Sequence, residues 1–184
     1  MEEIPRRIAA VLLLVYPHEG EPHVVFTERS ATLRNHPGQI SLPGGSRDPE
    51  DPSLEFTALR ETEEEIGISP MGIQILGSLA DVDTLGSLFR ITPFVGVLSQ
   101  EPGFRPHPAE VAQIIEVPLK HLCDPSCLGE DFWEVRGGPR KIKFYGYQEH
   151  RIWGATAYVV DAFLGSDYPR IAAAALASHL KGTR

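Results

Sequence analysis

The chain has 184 residues, of which 42% are hydrophobic and 23% charged, a composition typical of a soluble globular protein with a proper core. Its formal net charge of −8 argues against nucleic acid as a partner, because binding to a phosphate backbone requires a basic surface. A polyanionic small molecule is a compatible substrate only if a metal ion and local arginines screen its charge. No internal repeat, linker or low-complexity tract divides the sequence, so we expect one domain over residues 1–184.

The cysteines and the N-terminal segment both indicate a cytoplasmic protein. Cys123 and Cys127 make no disulfide framework and predict free thiols in a reducing compartment. Arg6-Arg7 and the apolar run 8–15 imitate a signal peptide, but no small-residue cleavage site follows and the run is too short to cross a bilayer. We interpret the run as a buried strand and expect no membrane partner. The sequence leaves the oligomeric state open, a homodimer included.

The other elements follow from hydrophobic periodicity and from the turn residues between segments. We predict strands over residues 8–15, 23–27, 73–79, 89–98, 111–117 and 140–147, and helices over 118–122, 152–164 and 169–181. Pro93 interrupts the fourth strand and predicts a sheet edge or a bulge there. Residues 124–138 are interpreted as irregular. Strands before and after a central helix predict an α/β sandwich with a mixed sheet.

The central helix is predicted to end near residue 66, and turn residues precede and follow it. Pro43-Gly44-Gly45 supplies a backbone that can adopt positive φ and approach a ligand closely. Ser53, with acids just before it, indicates the helix start, and Gly67 indicates its end. Apolar residues occur on both faces of the helix, among them Phe56 and Leu59, so we expect the helix to lie between two layers.

Glutamates in the last two turns of this helix converge on one face. Glu61, Glu64 and Glu65 fall within roughly 100° of arc, whereas Glu63 points away from them. Like charges at these spacings repel, and acids at a helix C-terminus oppose the macrodipole. A divalent cation would offset both effects, and carboxylate ligands suit Mg²⁺ or Mn²⁺. The alternative is an ordinary solvated acidic face.

Residues 60–68, RETEEEIGI, resemble the second half of the Nudix box. The first half of the box departs from the family pattern. Counting back from the box arginine places Pro52 where the box has a glutamate and Ser46 where the box has a glycine. One inserted loop residue would restore Gly45 to the glycine position, with Asp51 as the nearest acid. The metal-binding acids of the box lie in its second half, so the departure concerns only the loop.

A second pattern upstream resembles the coenzyme A pyrophosphatase branch of the same family. It consists of residues 27–30 (TERS), Arg34, Gly38 and residues 42–45 (LPGG). The lengthening of the box by one residue also resembles that branch. The two patterns together span residues 25–68 in one register. The resemblance implies a Nudix-like α/β/α sandwich with the box at about residues 44–68 and a C-terminal helix at about 169–181.

The resemblance also implies roles for the box residues. Glu61, Glu64 and Glu65 correspond to the metal ligands, with Mg²⁺ or Mn²⁺ as the cofactor. Arg60 corresponds to the box arginine, which holds a box glutamate in place; the alternative is a surface ion pair of little energetic weight. The general base differs between branches of the family. We predict Glu110, and the alternative is Glu64 acting directly or through a water on the metal.

Basic residues upstream of the box are the predicted substrate contacts. Arg29 and Arg34 suit phosphate because a guanidinium binds two phosphate oxygens at once, and Gly44 and Gly45 allow the substrate to approach the backbone. The alternative for Arg34 is a solvated loop arginine.

A basic and aromatic segment downstream offers further candidate contacts. The cluster 140–143 (RKIK) could meet a 3′-phosphate, or it could protect a strand edge from aggregation. Phe144, Tyr145 and Trp153 could stack on adenine, although core packing is the more frequent role of such residues.

Together these features indicate a metal-dependent pyrophosphohydrolase of the Nudix type. The resemblance implies attack of water on the diphosphate of coenzyme A or its derivatives, giving 3′,5′-ADP and 4′-phosphopantetheine. Two alternatives stay open. One is hydrolysis of another nucleoside diphosphate derivative such as ADP-ribose or NADH. The other is an inactive module that senses nucleotides, although such loss of activity usually removes a box glutamate and all three are present here.

Overall fold

The computed structural model of the chain describes residues 6–33, 35–84, 88–135 and 138–182. Eight strands form the main sheet: β1 (Arg7–His18), β2 (Glu21–Arg29), β3 (Ile40–Ser41), β4 (Gly44–Ser46), β5 (Ile73–Ser78), β6 (Val82–Asp83), β7 (Phe89–Leu98) and β8 (Val111–Pro118). A second, three-stranded sheet contains β9 (Leu128–Val135), β10 (Gly138–Tyr147) and β11 (His150–Trp153), with β10 in the middle. The helices are α1 (Leu54–Ile66), α2 (Leu119–Leu122), α3 (Gly154–Leu164) and α4 (Tyr168–Gly182).

The main sheet is mixed, as predicted. β1 and β7 run parallel to each other, and the remaining pairs of neighbours in the sheet are antiparallel. The parallel pair requires a long crossover, and the chain from β4 through α1 to β5 provides it. The predicted α/β class with a mixed sheet is therefore confirmed.

Strand β1 is buried on both faces because helices cover both sides of the sheet. Leu12 and Leu14 pack with Ala58 and Ile66 of α1, whereas their neighbours along the strand pack with α3 and α4 on the other side. Successive side chains of a strand point to opposite faces, so a strand between two helical layers becomes a continuous apolar run. This arrangement explains the run at residues 8–15. No helix within the described ranges is long and apolar enough to cross a bilayer.

Several predicted boundaries were wrong for identifiable reasons. Residues 128–135 form β9 rather than an irregular segment, because they pair along their whole length with β10. Helix α3 begins at Gly154, two residues later than predicted, since Ile152 and Trp153 belong to β11. Helix α1 covers only one sheet face and is not enclosed between layers. Its outer surface meets solvent, and Phe56 there is 47% exposed.

Pro93 lies inside a paired strand rather than at an edge. It is opposite Val11 of β1, and its carbonyl oxygen accepts a hydrogen bond of 2.8 Å from the Leu79 amide. The N–H and C=O of one strand residue point the same way, so the missing donor of Pro93 faces the gap between β5 and β6.

Candidate active site

Helix α1 begins and ends at the residues that the sequence indicated. The Ser53 hydroxyl caps its start by accepting a hydrogen bond of 3.1 Å from the Phe56 amide. Gly67 ends it with φ of 74°, and the Gly67 amide donates to the Glu63 carbonyl at 2.9 Å. A left-handed residue at this point favours glycine. The helix therefore ends just after Glu65, and its acidic last turn lies beside strand β4, which contains Gly44 and Gly45.

Arg60 is the centre of the acidic cluster. Its guanidinium donates two hydrogen bonds to the Asp51 carboxylate, at 3.1 and 3.0 Å. Its remaining nitrogen donates to Glu61 Oε1 and to Glu64 Oε2, both at 3.0 Å. The Arg60 side chain is only 19% exposed, so this network is more than a surface ion pair. Arg60 is thus hydrogen bonded to two box glutamates.

Asp51 is buried beside Arg60, and the sequence patterns gave it no contact with that arginine. Its carboxylate is 3% exposed and also accepts hydrogen bonds from the Thr57 hydroxyl at 2.8 Å and from the Asp48 amide at 3.0 Å. The Arg60 guanidinium holds the pKa of Asp51 below its ordinary range. Asp51 therefore anchors Arg60. The sequence signal for this role was its place as the nearest acid to the expected glutamate of the box.

Replacing Asp51 by asparagine should lower activity about tenfold, because residues that orient metal ligands typically contribute 10- to 100-fold. Asparagine keeps the size of the side chain but removes the charge that pairs with Arg60. The matched control is Asp48→Asn, since Asp48 lies 3.8 Å from the Arg60 guanidinium and is 65% exposed. Initial rates of both variants at saturating metal provide the comparison. Equal rates for the two variants would contradict this role of Asp51.

Gly45 allows the Glu61 carboxylate to lie directly against β4. A Cβ atom at residue 45 would overlap the carboxyl group of Glu61. Burial raises the pKa of Glu61 above its ordinary value, and Arg60 opposes this shift. At the preceding position, φ of Gly44 is 148°, and a Cβ atom there would overlap the backbone of β1. Gly44 is therefore required by its contact with the β1 backbone, whereas a side chain at residue 45 would have to displace the Glu61 carboxylate.

The Gly45→Ala variant should displace the Glu61 carboxylate and lower kcat about tenfold or more, because small displacements of catalytic groups cost up to about 100-fold. Gly103→Ala is the control, since a Cβ atom at residue 103 meets nothing within 4 Å. Steady-state kinetics together with a thermal melt would separate a local displacement from unfolding. A Gly45→Ala enzyme with wild-type kcat would show that Glu61 can move without consequence.

Glu65 is the most buried of the box glutamates, with its side chain 5% exposed. It accepts a hydrogen bond of 3.2 Å from the Gly44 amide, and Arg29 Nη1 lies 4.0 Å from its other oxygen. Burial raises the pKa of Glu65 from 4.5 to about 8; the Gly44 amide and Arg29 only partly offset this, and the charges of Glu61 and Glu110 add to it. The negative charge at Glu65 is therefore poorly compensated by the protein alone.

The three predicted metal ligands occupy different environments. Glu61 and Glu65 face β4, whereas Glu64 is 57% exposed and hydrogen bonded to Arg60. In the described part of the chain, no three His, Cys, Asp or Glu residues lie close enough together to hold a metal ion. The chemistry of these side chains nevertheless fits a divalent cation. Carboxylate oxygens are the hard ligands that such an ion prefers, and the protein alone compensates the negative charge of the buried Glu65 poorly.

The raised pKa of Glu65 makes metal-free stability depend on pH. Between its ordinary value of 4.5 and its folded value of about 8, the folded protein binds a proton that the unfolded chain has lost. The contribution of Glu65 to the free energy of unfolding therefore falls as pH rises through this window. We therefore expect the Glu65→Gln variant to gain stability relative to the wild type as pH rises from 5 to 8.5. The measurement is the difference between the two Tm values, with a chelator present. A difference independent of pH would contradict the assignment.

The loop between β7 and β8 brings Glu110 to the site. The amides of Arg105 and His107 donate to the carbonyls of Ile66 and Glu65, both at 2.8 Å, so the loop satisfies the C-terminal end of α1. The Glu110 side chain is 48% exposed, and its charge contributes to the raised pKa of Glu65. Glu110 is therefore close enough to Glu65 for their charges to interact, and it remains the candidate general base.

Arg29 is the predicted substrate contact that the structure places at the site. It ends β2, and its side chain is 28% exposed. Its Nε atom is buried and has no hydrogen-bond partner among residues 6–33, 35–84, 88–135 and 138–182. A buried donor without a partner is costly, and a substrate oxygen can reach Arg29 through the exposed part of its side chain. Arg34, the other predicted contact, lies outside the described residues.

The basic and aromatic candidates of the second sheet separate into two groups. Tyr145 is in the core and its hydroxyl donates to Asp161, so its role is packing. Phe144 and Trp153 are half-buried on the opposite face of the sheet. Residues 140–143 pair with β9 alone, because the pairing of β10 with β11 covers only residues 144–147, so the strand-edge interpretation stays open.

Comparison with known proteins identifies the same family that the box resembles. The model of the NUDIX domain matches residues 5–133. The chain is 44% identical over 154 residues to a protein of Photorhabdus laumondii named uncharacterized Nudix hydrolase NudL, covering 84% of this chain and 81% of that protein. It is 36% identical over 155 residues to NudL of Pectobacterium atrosepticum, covering 84% and 80% of the two chains.

Solved structures of the same family share the fold. A MutT/nudix family protein from Enterococcus faecalis superposes with a TM-score of 0.62 at 15% identity, covering 89% of this chain and 62% of that chain. The Nudix hydrolase RenU from M. smegmatis superposes with a TM-score of 0.52 at 26% identity, covering 61% and 71%. Since the family model covers most of the chain and NudL relatives match most of its length, this protein belongs to the Nudix hydrolase family.

Proposed function

We propose that this Nudix hydrolase cleaves the diphosphate of coenzyme A or its derivatives to 3′,5′-ADP and 4′-phosphopantetheine, with Mg²⁺ or Mn²⁺ as cofactor. Nudix hydrolases in general use divalent metal ions and act on small nucleotide substrates. The observation that supports this substrate is the position of Glu65. One carboxylate of the box contacts residues from both ends of the upstream coenzyme A signature.

The upstream signature forms a loop whose two ends meet at Glu65. Arg29 at its start approaches one carboxylate oxygen at 4.0 Å, and the Gly44 amide at its end donates to the other at 3.2 Å. Hydrogen bonds of 3.0 Å from the Arg29 amide to Gln39 and from the Gly38 amide to Arg29 close the base of this loop. The residues that distinguish the coenzyme A branch therefore border the place where a diphosphate would be held.

Each residue of the site has a definite task in this proposal. Glu61, Glu64 and Glu65 would hold the divalent ions, which when bound neutralise phosphate oxygens. Arg60 orients two of these carboxylates, and the Arg29 guanidinium binds a phosphate oxygen. Attack of water on phosphorus requires a group that accepts its proton.

We assign to Glu110 the role of accepting the proton of the attacking water, with Glu64 as the competing choice. The Glu110 carbonyl accepts a hydrogen bond of 2.8 Å from the Ser30 amide, which ties the candidate base to the signature loop. In either case the proton leaves the water as the bond from oxygen to phosphorus forms, and the bond to the leaving phosphate oxygen breaks.

A substrate panel tests the proposal. Coenzyme A, ADP-ribose and NADH would each be incubated with the protein and Mg²⁺ or Mn²⁺, and the products separated by anion-exchange chromatography. We expect 3′,5′-ADP and 4′-phosphopantetheine from coenzyme A at the highest kcat/KM. Cleavage of ADP-ribose with coenzyme A left intact would overturn the substrate. Tight ligand binding without turnover of any compound would favour the sensing module.

We also propose that the enzyme acts in the cytoplasm. Cys123 is exposed and Cys127 is buried, and both are free thiols, as expected in a reducing compartment.

A further inference from the structure

The second sheet has one face in the core and one face directed outward. Tyr145 and Ile152, which pair across β10 and β11, are buried in the main core. Paired residues point to the same side of a sheet, and successive residues alternate between sides. The opposite side therefore carries Trp133, Arg140 and Trp153 together with Phe144, and we call this side the aromatic face.

Phe144 forms the floor of the aromatic face. Its ring lies over Gly129, where a Cβ atom would overlap it, so glycine is required at that position. The Arg151 guanidinium carbon lies 4.7 Å from the centre of the Phe144 ring, and Arg151 Nη1 donates to Asp131 at 2.8 Å. Gly129 and Arg151 thus both contact the Phe144 ring, which leaves the two tryptophans as the aromatic rings that we expect to meet a ligand.

Trp133 and Trp153 form an edge-to-face pair on this surface. Their ring centres are 4.5 Å apart at an interplanar angle of 65°, and both side chains are half-buried. Arg140 lies directly opposite Trp133 in the strand register and is exposed. No ion-pair or hydrogen-bond partner of Arg140 occurs within the ranges that the structure describes. An indole pair beside a free guanidinium suits a flat base that carries a phosphate.

Charge also favours an anionic ligand on this face. Arg140 and Arg151 outnumber Asp131, which is already bound to Arg151, so the face has a net positive charge. The whole chain has a formal net charge of −8. A local positive surface on an acidic protein attracts anions that the rest of the molecule repels.

The aromatic face lies near the diphosphate site at its Trp153 end. Strand β11, which ends at Trp153, packs beside β3, and the Thr156 hydroxyl donates to the Ile40 carbonyl at 3.3 Å. From Ser41 to Gly44 the chain can span at most about 11 Å. A nucleoside attached to a diphosphate beside Gly44 can therefore extend toward this sheet.

We propose that the aromatic face binds the 3′-phosphorylated adenosine half of the substrate. The adenine stacks on the Trp133–Trp153 pair, and the Arg140 guanidinium binds the 3′-phosphate through two hydrogen bonds. This inference rests on the proposed function for the identity of the ligand. It assigns to residues outside the Nudix box the discrimination between coenzyme A and dinucleotides that lack a 3′-phosphate.

Calorimetric titration of the full chain with 3′,5′-ADP and with 5′-AMP tests this site without any turnover. We expect Arg140→Gln to raise the Kd for 3′,5′-ADP about tenfold, because the variant loses one charge-assisted contact to phosphate. The Kd for 5′-AMP, which has no 3′-phosphate, should change less than about twofold. Trp133→Leu should weaken both ligands by a similar factor. Lys143→Gln is the matched control, because Lys143 is on the same strand but points to the other face.

The outcomes separate this inference from the proposed function. Equal effects of Arg140→Gln and Lys143→Gln, or no binding of 3′,5′-ADP by the wild-type chain, would overturn the site. Binding of 3′,5′-ADP that depends on Arg140, in a protein that leaves coenzyme A intact, would keep the site and refute the hydrolysis. Thermal melts of each variant establish that a changed Kd does not reflect unfolding.

Discussion

Replacing Glu65 by glutamine is expected to lower kcat for coenzyme A about 10³-fold. A metal ion contributes several kcal/mol of charge stabilisation to such a reaction, and about 1.4 kcal/mol corresponds to a factor of ten. Glutamine retains an oxygen that can accept the Gly44 amide, so the local fold should persist. Because Glu65 is a buried and poorly compensated charge, the variant should be at least as stable as the metal-free wild type at pH 8.

The control for this substitution is Glu63→Gln. Glu63 is exposed on the same helix, and helical spacing predicts that it points away from Glu61, Glu64 and Glu65. We expect its kcat and KM to match those of the wild type. Steady-state kinetics over a range of metal concentrations would compare the two variants. Similar kcat values in Glu65→Gln and wild type, at the same metal concentration, would remove Glu65 from the metal site.

Replacing Glu110 by glutamine is expected to lower kcat about 10²-fold with little change in KM, as is typical for loss of a general base. The side chain is exposed, and the backbone contacts of its loop to α1 and to Ser30 do not depend on it. Unfolding is therefore not expected. Initial rates at saturating substrate, with a thermal melt of the variant, measure the effect.

Glu101→Gln is the matched control for Glu110, since Glu101 lies in the same loop and contacts His18 at the opposite end of the sheet. We expect its kcat to stay within about twofold of the wild type. A Glu110→Gln enzyme with normal kcat would assign the proton transfer to another residue, with Glu64 as the first to test.

The box helix could be predicted from sequence because its signals are local. A capping serine at residue 53, the glutamate spacing and a left-handed glycine at residue 67 each depend on near neighbours along the chain. The strand at residues 8–15 was equally clear, since burial on both faces leaves an uninterrupted apolar run. Where local propensity and tertiary packing agree, the sequence is sufficient.

The unpredicted features depend on tertiary contacts. The burial of Glu65 results from its position beneath β4 and beside Arg29, which no helical spacing reveals. Asp51 was displaced by one residue from the family pattern, so its contact with Arg60 became visible only in three dimensions. The exposed positions of strand β9 mix apolar Leu128 and Phe132 with charged Glu130 and Glu134, so its alternation is weak, and pairing with β10 is what makes it a strand. The Trp133–Trp153 pair likewise joins residues that are distant in sequence.

The most direct test of the metal site is anomalous diffraction from crystals of the protein soaked in MnCl₂. We predict a manganese peak at the C-terminal end of α1, coordinated by carboxylate oxygens of Glu61, Glu64 and Glu65, which requires Glu64 to leave Arg60. The same soak of Glu65→Gln crystals should weaken or abolish the peak. A wild-type crystal without manganese beside these carboxylates, at a concentration that supports hydrolysis in solution, would contradict the account.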